Sequence, residues 1–365
     1  DVFAKSAIIE LNGNKLGYIY LPEFYSNFNS VGSRRSGRDV EKEVEKLKKE
    51  NVEGIIIDLR NNGGGSLSDV VDMSGIFLGR SPVVQVVSSG GQKVTLKSKK
   101  SSPVYDGPLM VMVNNRSASA SEILAAVLQD HKRAVIVGSK TFGKGTVQKL
   151  VPLDQFVPGS IRNKIIQAFN EAKEGNAEYD GIGSLKLTIQ KFYRVNGGST
   201  QLEGVTPDII LPSSYDLLDI GERRNENALE YDKIPSVSYN AWKKTIPLKV
   251  LEKNSKKRIE KNAVFEIVKA IAKKLKEQQD DNIVPLNIED YKKYQKDMET
   301  LKDRMKEVDS IGTSLVAINL KEDKEKIEMD EASKTKNEDW LKNLQKDAYI
   351  FEASNIMKDW IGLSN

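Results

Sequence analysis

The chain has 365 residues, of which 39% are apolar and 7% aromatic, enough to bury a core in two or three domains. Its 56 lysines and arginines nearly balance 52 acidic residues, and the net charge of +4 does not indicate a nucleic-acid-binding protein. Cysteine is absent and histidine occurs once, which excludes a thiol nucleophile, a cysteine zinc site and any multi-histidine metal site.

The sequence contains no run of about 18 apolar residues, so we expect no membrane-spanning helix. It begins at Asp1 without a methionine or a signal-peptide core, and we therefore expect a processed or excised piece of a longer protein.

The first predicted element is a β-hairpin. Residues 7–11 and 16–21 alternate in hydrophobicity on either side of Asn12 and Gly13, a pair that favours a two-residue turn.

A strand, a glycine loop and a helix are predicted next. Residues 38–50 have the apolar spacing of a helix and lead into 54–58, a short apolar run typical of a strand buried on both faces. A loop over 61–65 and a helix over 68–78 follow.

The same unit recurs downstream. Residues 108–113 predict a buried strand, 114–119 a loop of small residues, and 120–128 an apolar helix. A third buried strand over 134–137 runs into the loop 141–145. Repeated strand-loop-helix units predict an α/β fold whose functional site lies at the strand ends.

Extended chain is predicted over 147–151 and 185–195, and a closing edge strand over 204–212. The stretch 154–183 is polar and without regular periodicity, so we interpret it as a lid or an insertion.

Composition changes near Tyr215, where lysine and glutamate begin to dominate. We therefore divide the chain into a catalytic core over 1–214 and a mainly helical domain over 215–365, whose charge runs are taken as solvated faces. Helical periodicity marks 258–278, 288–308 and 338–360.

Three loops at the ends of buried strands carry the residues suited to chemistry: DLRNNGGG at 58–65, RSASASE at 116–122 and TFGKG at 141–145. In the second loop, Ser119 and Glu122 have the spacing of a helix capping box, which is the structural alternative. The functional interpretation is a serine nucleophile exposed at a strand-to-helix turn, beside helix N–H groups that bind an oxyanion. From the residues alone, Ser117, Ser119 and Ser121 all remain candidates.

Gly63, Gly64 and Gly65 are explained by a tight turn when considered alone. Beside a serine nucleophile, their unobstructed N–H groups become oxyanion donors, each contributing roughly 3–4 kcal/mol to transition-state stabilisation.

Lys144 has two functional interpretations. The run from Gly138 to Lys144 matches most of a phosphate-binding P-loop, but Gly145 replaces the hydroxyl residue that would hold Mg²⁺. As a general base, Lys144 needs its pKa lowered by about 3 units through burial, a shift documented for desolvated lysines. With one histidine in the chain, lysine is the better candidate for the base.

These loops together resemble the tail-specific, or C-terminal processing, peptidases, a family of Ser-Lys endopeptidases. Two further runs fit that family, IQKFYRVNGGSTQ at 189–201 and GVTPD at 204–208, as does TFGKGTVQ at 141–148. The similarity covers roughly residues 5–215 strongly and the lysine-rich remainder more weakly. It is closer to the long bacterial periplasmic branch than to the short plastid branch.

The resemblance implies a crotonase/ClpP-like β-β-α core and selects Ser119 as the nucleophile, 25 residues before Lys144. It also implies that Gln148 orients the lysine amine. In the mechanism that we expect, the N–H groups of Gly64 and Ala120 hold the oxyanion, supported by Gly63.

Asp130 matches an acid implicated in the bacterial branch. Eleven residues of continuous helix place it about 16 Å from Ser119, so we expect it to hold a loop or an arginine. His131 has no counterpart and is expected at the surface.

The family carries a PDZ domain that recognises substrate tails, and no segment of this chain resembles one. The resemblance further implies unfolded or tail-marked envelope proteins as substrates, a periplasmic location, room for an adaptor lipoprotein, and neither a cofactor nor a metal. A P-loop nucleotide-binding protein and a catalytically inactive scaffold remain the alternatives.

Overall fold

The computed structural model describes residues 3–26, 34–173, 175, 178–280, 283–310 and 313–364. Its strands are β1 (Lys5–Leu11), β2 (Asn14–Tyr20), β3 (Gly54–Asp58), β4 (Pro82–Ser88), β5 (Lys93–Lys97), β6 (Leu109–Val113), β7 (Val135–Gly138), β8 (Thr146–Pro152), β9 (Ser184–Tyr193), β10 (Ile209–Ile210) and β11 (Val316–Ile318).

The helices among the described residues are α1 (Ser36–Lys49), α2 (Leu67–Leu78), α3 (Ala120–Asp130), α4 (Gly159–Ala172), α5 (Leu248–Ile259), α6 (Ala263–Asp280), α7 (Ile288–Ser310), α8 (Lys321–Glu328), α9 (Glu331–Lys346) and α10 (Ala348–Ser364). None of them is long and apolar enough to cross a membrane, within the part of the chain that the structure describes.

A seven-stranded sheet, ordered β10-β7-β6-β3-β2-β1-β11, forms the centre of the molecule. Strands β10, β7, β6, β3 and β2 run parallel, while β1 pairs antiparallel with both β2 and β11. Every residue of β3 and β6 is buried, as expected for inner parallel strands covered on both faces. The α/β core is thus confirmed.

The predicted hairpin is β1–β2, with Leu11 opposite Asn14. Its two turn residues, Asn12 and Gly13, have φ of 50° and 87°. Positive φ at both positions is the geometry that a type I′ turn requires, and it matches the twist of the flanking strands.

Side chains of β3 alternate between two cores. Ile55 and Ile57 pack into the cluster beneath α1, α2 and α3, whereas Ile56 packs into a second cluster on the opposite face. The second cluster contains residues of α5 and α10, including Leu251 and Ile356. The C-terminal region is therefore mainly helical, as predicted, and it covers one face of the central sheet.

The C-terminal region also contributes β11, which the sequence did not indicate. An ion pair reinforces the contact, because the partly buried Arg60 donates to the carboxylates of both Asp58 and Asp347. The predicted helix 258–278 corresponds to α6 but starts in the last turn of α5, and the predicted helix 338–360 is divided between α9 and α10.

A second, four-stranded sheet has the order β5-β4-β9-β8 and is antiparallel throughout. The stretch 154–183, which we interpreted as a lid or an insertion, lies between the paired strands β8 and β9 of this sheet. The prediction that this stretch lacks regular structure is wrong, since it contains α4. Its apolar residues at 161, 165, 166 and 169 have helical spacing, and none of the α4 side chains is buried.

His131 is not at the surface as predicted. It is only 2% exposed, and its ring nitrogens lie 2.9 Å from the carbonyl oxygen of Asn240 and 3.1 Å from that of Pro82. The segment around Asn240 that covers His131 lies 109 residues further along the chain. A local sequence pattern therefore could not predict the burial of His131.

Candidate active site

The loops that follow β3 and β6 meet the loop between β7 and β8 at one cavity of about 320 Å³. Ser119 and Lys144 both line it, together with Gly63 and Gly65. Parallel strands bring these loops to one edge of the sheet, because the carboxyl ends of β3, β6 and β7 point the same way.

Ser119 adopts an unusual backbone conformation, with φ of 56° and ψ of −112°. Positive φ is costly for a residue with a β-carbon, and residues strained in this way cluster at active sites. The conformation places Ser119 at the sharp turn between β6 and α3. Gly64 permits that turn, since a β-carbon on it would lie 2.8 Å from Cβ of Ser119.

Geometry distinguishes the three candidate serines. Ser117 and Ser121 are buried, and their hydroxyls donate to the backbone carbonyls of Leu59 and Asn62 at 2.8 and 2.9 Å. Ser119 is partly exposed and lines the cavity. It is therefore the serine of the three that a substrate can reach.

Lys144 is half-buried in the same cavity. Desolvation lowers its pKa from the ordinary 10.5, and the charge of Lys186 lowers it further. The carboxylates of Glu222 and Glu122 act in the opposite direction. The net direction is the one that a lysine general base needs.

Glu122 links the serine loop to the lysine loop. Its carboxylate accepts hydrogen bonds from the N–H of Ser119, Gly143 and Lys144 and from the hydroxyl of Thr141, at 2.7 to 2.9 Å. It is fully buried, and desolvation raises its pKa to about 7 although all four donors act to lower it. The sequence showed Glu122 only as a capping residue, and nothing local indicated its bonds across the site.

The N–H groups near Ser119 differ in their availability. Ala120 is the first residue of α3, where helix N–H groups have no intrahelical acceptor. The N–H of Gly64 donates at 2.9 Å to Oδ1 of Asn62 in this structure. Its neighbours Gly63 and Gly65 line the cavity on either side.

Gln148 lines the cavity from β8, but its amide donates to the hydroxyl of Thr188 at 3.5 Å. Among the residues described, it makes no hydrogen bond to Lys144. Apolar side chains of Leu67, Ile123 and Phe192 also line the cavity.

Asp130 lies at the end of α3 and binds Arg194 through both carboxylate oxygens, at 2.6 and 3.0 Å. Asn196 donates to the same carboxylate at 2.9 Å. The expectation that Asp130 holds an arginine is thus confirmed. It connects α3 to the chain that follows β9.

The P-loop alternative does not fit. In a P-loop, free amides cradle phosphate and a helix follows. Here the amides of Gly143 and Lys144 donate to the carboxylate of Glu122, and strand β8 follows. Phosphate would meet a buried acid in place of free donors.

Comparison with models of known protein families identifies the family of this chain. The model for peptidase family S41 matches residues 15–211, more than half of the chain. The chain belongs to peptidase family S41. A second family model, the C-terminal domain of tail specific protease (DUF3340), matches residues 215–362.

Two curated proteins similar to this chain carry protease names. A tail-specific protease of Haemophilus influenzae is 40% identical over 239 residues, covering 66% of this chain and 31% of the relative. A carboxyl-terminal-processing protease of a Picosynechococcus species is 40% identical over 144 residues, covering 40% and 33%. The chain thus spans about a third of the length of these relatives.

A solved structure of a photosystem II D1 C-terminal processing protease is 28% identical to this chain. The matched region covers 55% of this chain and 43% of the chain in that structure, with a TM-score of 0.42.

Proposed function

We propose that this chain is the catalytic part of a serine endopeptidase of the tail-specific type, with Ser119 as nucleophile and Lys144 as general base. The observation that carries the proposal is that both residues line one cavity, with Ser119 on a strained turn and Lys144 half-buried. Membership of family S41 supports the same chemistry.

In the first half of the reaction, the neutral amine of Lys144 accepts the hydroxyl proton of Ser119. The oxygen of Ser119 attacks the scissile carbonyl carbon, and backbone N–H groups stabilise the oxyanion. Ala120 supplies one of these donors, and the loop Gly63–Gly65 supplies the other. Gly64 can serve only if its N–H leaves Asn62.

In the second half, the ammonium of Lys144 returns its proton to the leaving amine, and an ester links the substrate to Ser119. Water then gives a proton to Lys144 and attacks the ester carbon. The intermediate collapses, Ser119 regains a proton, and the new carboxyl end is released.

Substrates bind in an extended conformation. Strand β8 begins two residues after Lys144 and is an edge strand of its sheet, so its outer side can pair with a polypeptide backbone. This mode suits unfolded or flexible tails. The family resemblance suggests envelope proteins in the periplasm as substrates, and an adaptor lipoprotein as a partner.

Cleavage of casein by the wild-type chain, Ser119→Ala and Lys144→Ala tests the proposal. We expect each substitution to lower the rate by at least about 10³-fold, since members of a catalytic unit act together. Ser101→Ala and Lys257→Ala, at exposed positions away from the cavity, should cleave at the wild-type rate.

Equal activity in the wild-type, Ser119→Ala and Lys144→Ala proteins would refute the assignment. An ester-linked substrate fragment on Ser119, detected by mass spectrometry after acid quenching, would support it independently of the rates.

A further inference from the structure

A second lysine shares the catalytic cavity. Lys186 lies on β9, directly opposite Leu150 of β8, while Gln148 of β8 lies opposite Thr188. Residues directly opposite each other in antiparallel strands share a face of the sheet. Lys186, Leu150 and Gln148 accordingly all line the cavity that contains Ser119 and Lys144.

The ammonium of Lys186 has no ion-pair partner within the described part of the chain. Among the residues described, the side chain of Lys186 makes neither a hydrogen bond nor an ion pair. Its ammonium therefore acts on the cavity as an uncompensated positive charge.

Three charged groups face Lys144. Lys186 on β9 disfavours its ammonium form, while Glu122 on α3 and Glu222, in the chain that follows β10, favour that form. Glu122 already accepts four hydrogen bonds from other groups. Lys186 is thus the charge that opposes protonation of Lys144, in addition to burial.

We propose that Lys186 is a positioning residue that keeps Lys144 uncharged, so that Lys144 can accept the proton of Ser119. This inference rests on the proposed function. Its physical basis is repulsion between two ammonium groups, which raises the free energy of protonated Lys144 and leaves its neutral form unchanged.

The same repulsion helps the following step. Once Lys144 has taken the proton of Ser119, two like charges share the cavity, and passing the proton to the leaving amine relieves their repulsion. A bound polypeptide excludes water, and charges interact more strongly when water is excluded. The effect of Lys186 is therefore larger in the enzyme–substrate complex than in the free enzyme.

The test is the pH dependence of kcat/KM for casein or a short peptide. Lys186→Met removes the charge and keeps the aliphatic chain, and it should move the acidic limb to higher pH by about half a unit, as for partly solvated charge pairs. Lys186→Arg keeps the charge and should leave the limb in place. The rate on the high-pH plateau should stay within about twofold in each variant.

Lys149→Met is the matched control. Lys149 is also exposed and lies on β8, but it is opposite Leu187 and therefore on the other face of the sheet. Its removal should not move the acidic limb, whereas an equal shift in Lys149→Met and Lys186→Met would overturn the proposal.

Ionic strength gives a second signature. At about 1 M salt the screening length falls to roughly 3 Å. The separation between the acidic limbs of the wild-type protein and of Lys186→Met should then shrink, because salt screens the repulsion from Lys186, while its effect on Glu122 and Glu222 is common to both proteins. Identical salt responses in the two proteins would contradict the role of Lys186.

A direct titration separates this inference from the proposed function. In Ser119→Ala protein with ¹⁵N-labelled lysine, the Nζ resonance of Lys144 should titrate about half a unit higher after Lys186→Met. An unchanged titration overturns the role of Lys186 even if the wild-type protein cleaves casein. An absence of cleavage by the wild-type protein overturns the proposed function and leaves this titration to decide on Lys186.

Discussion

Glu122 connects the backbone of the nucleophile to the backbone of the base. One carboxylate oxygen accepts from Ser119 and Lys144, and the other accepts from Gly143 and Thr141. A carboxylate suits this position because both of its oxygens are acceptors. The two catalytic loops are thereby held in one arrangement.

Glu122→Gln should lower both stability and activity. The amide replaces one acceptor oxygen with an N–H₂ group, which then faces two of the four donors, and each unsatisfied buried donor costs about 1–3 kcal/mol. We expect a fall of that size or more in the free energy of unfolding, measured by urea titration, and a lower kcat. Glu252→Gln, at an exposed position on α5, is the control and should change neither. Wild-type stability in Glu122→Gln would contradict the bonding that we describe.

Lys144 determines how activity depends on pH. Its neutral form is the active one and its folded pKa is lowered, so activity is present above that pKa and is lost as pH falls through it. We expect kcat/KM for peptide cleavage to reach half its maximum below pH 10.5, the ordinary lysine value. A profile that stays flat down to about pH 5 would exclude Lys144 as the base.

At the scale of elements, the β1–β2 turn depends on glycine at position 13, because a residue with a side chain rarely adopts the φ of 87° found there. A β-carbon at position 13 would clash with nothing, because no atom lies within 4 Å of it. The cost of a substitution therefore comes from backbone strain at a φ of 87°. Gly13→Ala should therefore lower the free energy of unfolding by about 1 kcal/mol, measured by thermal or urea unfolding. Gly159→Ala, which also has open space but no positive φ, should cost less.

The segment between β8 and β9 should be dispensable for folding. No side chain of α4 is buried, and the segment is closed at its base by Asp154, which accepts from Tyr179 and from the N–H of Ile182. Replacing residues 155–181 with a short glycine-serine turn should leave the melting temperature within about 2 °C of wild type, because little apolar surface is lost. A large fall in melting temperature would show that the segment packs against the core.

Sequence patterns predicted the elements with strong local signals. The hairpin, β3, and helices α1, α2 and α3 combine clear periodicity with turn residues at their ends. The two long C-terminal helices were predicted without their breaks, although each break lies at a capping residue. Asn262 accepts from the N–H of Val264 before α6, and Asp347 accepts from Tyr349 and Ile350 at the start of α10.

Tertiary pairing explains the elements and contacts that sequence did not show. Strand β11 has three residues, too few for an alternating pattern, and forms because β1 offers a free edge. The choice of Ser119 over its neighbours needed either the family resemblance or the structure, because all three serines look alike locally. Lys186 and Glu122 act on Lys144 from β9 and α3, contacts that no local pattern encodes.

At the scale of the whole molecule, Asp347 joins the C-terminal helices to the loop that follows β3. It caps α10 and also accepts a hydrogen bond from the partly buried guanidinium of Arg60. Asp347→Ala should lower the free energy of unfolding by about 2 kcal/mol, since a cap contributes about 1 kcal/mol and lost hydrogen bonds to a charged group contribute a similar amount.

Asp347→Asn is the informative comparison, because asparagine also caps helices but carries no charge. Its loss of stability should be clearly smaller in the same urea titration. Equal losses in the two variants would assign the whole effect to the ion pair with Arg60.

Strand β11 and helices α9 and α10 come last in the chain, yet they complete a sheet that begins with β1. They contact it through one strand edge and one apolar face, and these contacts do not require a covalent connection to α7. Two polypeptides divided near residue 311 should therefore assemble when co-expressed. Such a split protein would make peptidase activity conditional on bringing its halves together.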